Sequence, residues 1–264
     1  MDGNLAAAYK SQSQRARIVT ERWGQQNLYC CNCSASRLFQ LRNNSKAGDF
    51  ECTGCGCWYQ LKSQRGKIQG CVAGGAYQSM MEAIRNDRTP NFYFLQYEWQ
   101  TWQVKNLLLV PHFAFPPSAI LKRKPLSLTA RRAGWIGCNI SLQQIPADAR
   151  IPIIVDGNIV PTAEVRKQFR QVKPLKDVPA AGRGWTLEVL AAIRSLNRAA
   201  FSTKDAYALA PGLQALHPAN RHVSEKIRQQ LQVLRDIGFL VHLSRGEWKL
   251  KQPITLDQAV GSEV

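Results

Sequence analysis

Acidic side chains are scarce in this sequence. Only 18 Asp and Glu stand against 35 Lys and Arg over 264 residues, a net charge of +17. Such an excess suits a polyanion whose phosphates release counterions on binding, although it also serves solubility or an anionic lipid surface. A membrane-binding amphipathic helix is lacking, which favours nucleic acid as the partner. Also missing is any apolar run near the ~20 residues that span a bilayer. Met1-Asp2-Gly3-Asn4 has none of the charged-then-apolar build of a signal peptide. A soluble, cytoplasmic protein with no membrane partner is expected, acting as a monomer.

Cysteine is plentiful, at eight residues. Without an export signal, its spacing argues for metal and against disulfides. Cys30-x2-Cys33 precedes Cys52-x2-Cys55, with eighteen residues between the pairs. Two residues between thiolates let one tight turn present both sulfurs to a tetrahedral ion. Four thiolates close the coordination sphere, so a structural Zn²⁺ is expected. Cys31 and Cys57 lie beside the ligands and compete for the register, whereas Cys71 and Cys138 read as small buried hydrophobes.

Between Arg22 and Met81 the only acids are Asp49 and Glu51. Trp58-Tyr59-Gln60-Leu61-Lys62 alternates in the manner of a strand, which turns Gln60 and Lys62 to one face and Tyr59 and Leu61 to the other. Asp49, the Gln60 amide oxygen and Lys62 offer oxygen ligands for Mg²⁺ and a cation for developing phosphate charge. Taken alone, the set is read more readily as a solvated polar face.

The arrangement resembles the PD-(D/E)xK nuclease motif, and the chain as a whole is similar to DpnI-type restriction endonucleases. The likeness runs from Tyr9-Lys10-Ser11 to Ala16-Arg17-Ile18, through the cysteine pairs around Asp49 and Leu61-Lys62-Ser63. It continues in Gly75-Ala76-Tyr77, Asn91-Phe92-Tyr93-Phe94-Leu95, Lys122-Arg123-Lys124-Pro125-Leu126 and Thr129 to Ile140. It ends in Arg183-Gly184-Trp185-Thr186 and Glu225 to Asp236. The resemblance implies Mg²⁺-dependent hydrolysis of duplex DNA at GATC carrying N6-methyladenine, with Asp49, Gln60 and Lys62 catalytic and Asp49 and Gln60 holding the Mg²⁺.

One departure stands out: the family motif has a glutamate where this chain has Gln60. Either a neutral ligand suffices, or another acid compensates, or the protein reads methylated DNA without cutting it. Glu51 is the first auxiliary acid, since an extended 49–51 segment turns it to the face of Asp49. Glu21, on the expected first helix, is the second. A further rival is a zinc-ribbon transcriptional regulator, for which Asp49 and Lys62 have no role.

Arg131 and Arg132 suit phosphate or guanine contacts. Trp135 reads by itself as core packing; the resemblance turns it toward an apolar surface for the methyl group. Residues 141–180 carry five prolines and run into Ala180-Ala181-Gly182-Arg183-Gly184, read as the end of a first domain and a linker. Thr186 is expected to cap a helix bearing Leu187, Leu190, Ala191 and Leu196. Ser202-x-x-Asp205 opens a second helix, and Ser224 caps a third. A hairpin from Phe239 to Leu250 completes a winged helix. On the third helix Ile227, Leu231 and Leu234 form the core stripe, while Arg228, Gln229, Gln232 and Arg235 are left to read base edges. The expected architecture is an α/β, restriction-endonuclease-like domain with an embedded four-cysteine site at 1–180, a winged helix at 184–252 and a disordered tail at 253–264.

Overall fold

A computed structural model describes residues 1–251 other than 43, 44, 46, 47, 67 and 69. The expected tail therefore lies outside the described residues.

The chain opens with helix α1, Gln12–Asn27, free of proline and interrupted only by Gly24. Glycine inside a helix costs about 1 kcal/mol relative to alanine. Here it permits a close approach, because a Cβ would lie 3.0 Å from the Phe50 ring and 3.2 Å from Leu61. The helix thus rests directly on the strands that follow: β1 (Phe39–Gln40), β2 (Phe50–Glu51) and β3 (Trp58–Gln64). The Thr20 and Ser63 hydroxyls, 3.1 Å apart, add a polar tie.

Next come β4 (Cys71–Ala76), α2 (Tyr77–Arg85), β5 (Asn91–Tyr97), β6 (Val104–Val110), β7 (Ile120–Lys122), β8 (Gly137–Ser141), β9 (Ile151–Val155), β10 (Asn158–Ile159) and α3 (Thr162–Val172). Seven strands form one mixed sheet in the order β1-β2-β3-β5-β6-β9-β10. Its parallel pair is β3 with β5, joined by a crossover through β4 and α2. In β5 the run Phe92-Tyr93-Phe94-Leu95 is wholly buried, as befits a central strand covered on both faces. A second, three-stranded sheet, β4-β8-β7, accompanies α2.

The rest of the chain comprises α4 (Ala180–Arg194), β11 (Ala200–Ser202), α5 (Thr203–Tyr207), α6 (Ala210–Leu216), α7 (Val223–Asp236), β12 (Leu240–Ser244) and β13 (Glu247–Leu250). Helices followed by a wing of order β11-β13-β12 make a winged helix. Ser202 and Asp205 form the reciprocal capping box expected at α5.

Four local expectations are corrected. Residues 180–184 are no linker but the first turns of α4, which starts straight after Pro179. Thr186 consequently lies inside that helix, and its buried hydroxyl donates to Gln230 Oε1 at 2.7 Å in place of capping. Leu196 falls in the turn beyond the helix. Helix α7 starts at Val223 after His222, so Ser224 is its second residue and not its cap.

Two ion pairs join α4 to the first part of the chain. Arg183, 7% exposed, reaches Asp87 at 2.6 and 3.3 Å and the carbonyls of Val178 and Lys176 at 2.9 and 3.0 Å. This guanidinium holds Asp87 below the usual carboxylate range. Arg194 likewise pairs with the buried Asp148 and donates to the Lys251 carbonyl at 2.7 Å. Among the described residues, no helix is long and apolar enough to cross a membrane.

Candidate active site and cysteine cluster

The ligand atoms of Cys30, Cys33, Cys52 and Cys55 all lie within 4.8 Å of one another. Zinc–sulfur bonds of about 2.3 Å require tetrahedral sulfurs roughly 3.8 Å apart, so the cluster can hold a metal such as zinc. One pair comes from the turn after α1 and the other from the turn between β2 and β3. The Tyr59 hydroxyl sits 3.1 Å from the Cys30 sulfur, and Arg166 of α3 donates to the Cys30 and Ala35 carbonyls at 3.2 and 3.1 Å. The competing cysteines lie outside the group. Cys31 is buried beside the Tyr93 hydroxyl at 3.4 Å, and Cys57 accepts from Asn32 at 3.4 Å. Cys138 is buried as expected, but Cys71 is exposed; β4 has only β8 beside it in its sheet.

The second turn also places Asp49. Strands β2 and β3 are antiparallel, with Phe50 opposite Tyr59 and Glu51 opposite Trp58, so the register carries Asp49 to Gln60. The Asp49 amide donates to the Tyr59 carbonyl at 2.9 Å. Its carboxylate accepts the Leu61 amide at 2.8 Å, a charge-assisted bond that fixes the side chain. Tyr59 and Leu61 are buried on one face of β3, leaving Gln60 and Lys62 on the other. Burial pulls the Lys62 ammonium below its ordinary pKa, and the charge of Asp49 is the main opposing influence. Asp49, Gln60 and Lys62 therefore share a face, with acid and cation within electrostatic reach.

Helix α1 overhangs this group. Arg17 pairs with Glu21 at 2.6 Å, one turn apart. Its pKa is raised by the Glu21 hydrogen bond and charge, and more weakly by Asp49. Of the carboxylates, Lys62 feels Asp49 and then Glu21. Glu51 does share the face of Asp49, but it lies opposite Phe39 and Trp58. That is about 7 Å along the strand, away from Lys62. Arg17 was not marked as a site residue in the sequence, where its signals were the resemblance over Ala16-Arg17-Ile18 and the i,i+4 spacing to Glu21.

Between β7 and β8 runs a basic loop. It is closed by bonds from the Leu126 amide to the Trp135 carbonyl and from the Gly134 amide to the Leu126 carbonyl, at 3.0 and 3.1 Å. Arg131 and Arg132 are exposed, and the Arg132 guanidinium lies 4.9 Å from the Trp135 ring centre. Trp135 is half-buried and packed against Gly137, where a Cβ would lie 2.8 Å from two ring carbons. Leu128, also unmarked by sequence pattern, is 92% exposed at the loop tip. On the neighbouring strand Cys138 feels both Lys62 and Arg123, which sets the loop's base beside the Asp49 group.

In the winged helix, α7 buries Ile227, Leu231 and Leu234. Arg228, Gln229, Gln232 and Arg235 are all exposed. Lys226 donates to Gln229 at 2.8 Å and Arg235 pairs with Asp236, also at 2.8 Å, so two of the four already have partners.

A restriction-endonuclease-like domain with a cysteine cluster, joined to a winged helix, defines a DNA-acting protein. The model of the DpnI family, described as the Dam-replacing family, matches residues 1–178. That of its C-terminal part, the Dam-replacing HTH domain, matches residues 181–250. The chain belongs to this family of DpnI-type, methyl-directed restriction enzymes.

Proposed function

We propose that this protein is a site-specific deoxyribonuclease that hydrolyses duplex DNA at GATC carrying N6-methyladenine. The observation that carries the reading is the meeting of Asp49, just before β2, with Gln60 and Lys62 of β3 in a chain of this family. A carboxylate and an amide oxygen are hard donors of the kind Mg²⁺ takes. Bound there, Mg²⁺ would supply Lewis acidity at the phosphate. Asp49 is held by the Leu61 amide for this purpose, and Gln60 adds an oxygen without charge. Lys62 stabilises the negative charge that grows as water adds to phosphorus and the bond to the leaving sugar oxygen breaks. Glu21 is the auxiliary acid best placed to replace the charge missing at Gln60, with Glu51 next. Zn²⁺ in the cysteine cluster has a structural role. The chain acts as a cytoplasmic monomer, with residues 1–180 cutting and 184–252 checking the site through Arg228, Gln229, Gln232 and Arg235.

One observation favours a second reading, a methyl-adenine reader that does not cut: the neutral Gln60. Digestion of methylated and unmethylated plasmid side by side, with Mg²⁺ or Mn²⁺, separates the two. Fragments from methylated plasmid alone are expected; intact methylated plasmid under firm binding would favour the reader.

Trp135, backed by Arg132 and Gly137, supplies the apolar surface for the methyl groups. In Gly137→Ala the new methyl displaces the ring. Burying a methyl contributes about 0.8 kcal/mol, so losing contact with two lowers the preference for methylated DNA by roughly tenfold. Affinities for methylated and unmethylated duplex measure this, and an unchanged ratio would remove Trp135 from methyl reading.

A further inference from the structure

The open groove between α1 and the edge strand β1 encloses about 780 Å³. Arg22, Gln25 and Gln26 line it from the helix, and Arg37, Gln40 and Arg42 from the strand side. The lining contains no carboxylate. Arg37 and Arg42 are exposed, and Arg22 donates to the neutral Gln25 side-chain oxygen at 2.6 Å. Three guanidinium groups thus have no acidic partner among the described residues. Like charges gathered beside amide donors, without an acid among them, are destabilising alone and favourable around an anion.

The groove is continuous with the Asp49 group along both walls. On the helix, Arg17, Glu21 and Gln25 lie four residues apart on one stripe. Its near end is close enough for Arg17 to feel Asp49, and its far end lines the groove. On the strand side, the Leu41 amide donates to the Asp49 carbonyl at 2.9 Å, and Arg42 follows directly. A polyanion lying across Asp49 and Lys62 therefore meets the arginines next.

We propose that this groove is a phosphate-binding track for the DNA backbone outside the recognition site, with Arg22, Arg37 and Arg42 each neutralising a phosphate. Contacts of this kind fix register and strength without reading sequence. The proposal rests on the DNA-binding part of the reading above and not on cleavage.

The test uses the full chain with Asp49→Asn, without added Mg²⁺ or Mn²⁺, so that binding is read apart from cutting. Arg22, Arg37 and Arg42 are changed together to Gln, and folding is verified by thermal melting. Two methylated duplexes are titrated across a salt series: one of about thirty base pairs, and one trimmed nearly to the tetranucleotide. Each phosphate contact adds about 0.9 to the salt slope. On the long duplex the variant should show a slope shallower by about 2.7, with the same loss when the adenine is unmethylated. On the trimmed duplex its slope should equal the parent's. Equal slopes for variant and parent on the long duplex would overturn the track, as would a loss of the same size on both duplexes. A parent chain without measurable affinity for either duplex would overturn the DNA reading itself.

Discussion

Asp49→Ala is expected to lower the rate of cleavage of methylated DNA by about a thousandfold or more, a loss typical of removing a principal electrostatic group from a reacting centre. Affinity for the same DNA should stay within a few-fold. The reason lies in the charge inventory of the site. Gln60 brings oxygen but no charge, so the charge nearest to hand is that of Asp49, the carboxylate whose influence on Lys62 is largest. That influence raises the pKa of Lys62 against burial. Without it, a cation site keeps only an amide, and the Lys62 ammonium gives up its proton more readily. Alanine also leaves the Leu61 amide without its acceptor, which costs about 1–3 kcal/mol. Asp49→Asn is therefore the companion variant, because its side-chain oxygen can still take that hydrogen bond while the charge is gone. Both should bind and fail to cut, measured by plasmid linearisation and by anisotropy of labelled duplex. Full cleavage by Asp49→Asn would sink the assignment.

Much of this was legible from local pattern. The alternation of Trp58 to Lys62 predicted a strand with Gln60 and Lys62 on one face, and β3 has that form. The two Cys-x2-Cys pairs predicted a four-thiol cluster, because each turn presents two sulfurs and a tetrahedral ion takes four. The stripe of Ile227, Leu231 and Leu234 predicted the buried side of α7. Failures arose where a distant residue decides the local state. Thr186 resembles a cap because its hydroxyl can serve its own backbone, yet it is satisfied by Gln230, forty-four residues away. Arg183, flanked by glycines, resembles linker charge, yet Asp87 draws it into the interior across ninety-six positions. Helix α3, hidden among prolines, packs Val165, Phe169 and Val172 into the core, a fit that proline spacing does not show. The overhang of Arg17 and Glu21 above β3 depends on the close packing at Gly24, which only the assembled sheet makes visible.

The second large effect concerns the cysteine cluster, which governs Asp49 from a distance. Strands β1 and β2 are two residues each, far shorter than a ladder that holds itself. The turn running from Cys52 to Cys55 faces the turn after α1, and a metal held by the four sulfurs would tie the two together and keep β2 against β3. Cys52 is fully buried and lies three residues from Asp49. Cys52→Ser, or removal of the metal by a strong chelator, should therefore unfold the region from α1 to β3. Structural zinc contributes about 10–16 kcal/mol of apparent binding energy in small domains. Even a third of that lowers the melting temperature by roughly 10 °C or more, at about 2–4 °C per kcal/mol for a chain of this size. Cleavage should vanish with the fold, since Asp49 loses its register to Gln60. Cys71→Ser is the control, because that thiol is exposed and apart from the cluster; it should keep both melting temperature and bound metal. Calorimetry with and without chelator, alongside metal analysis expecting one zinc per chain, reads the outcome. A Cys52→Ser protein that melts with the parent would mean that the fold does not depend on an ion held by Cys52, and that Asp49 owes its place to the sheet alone.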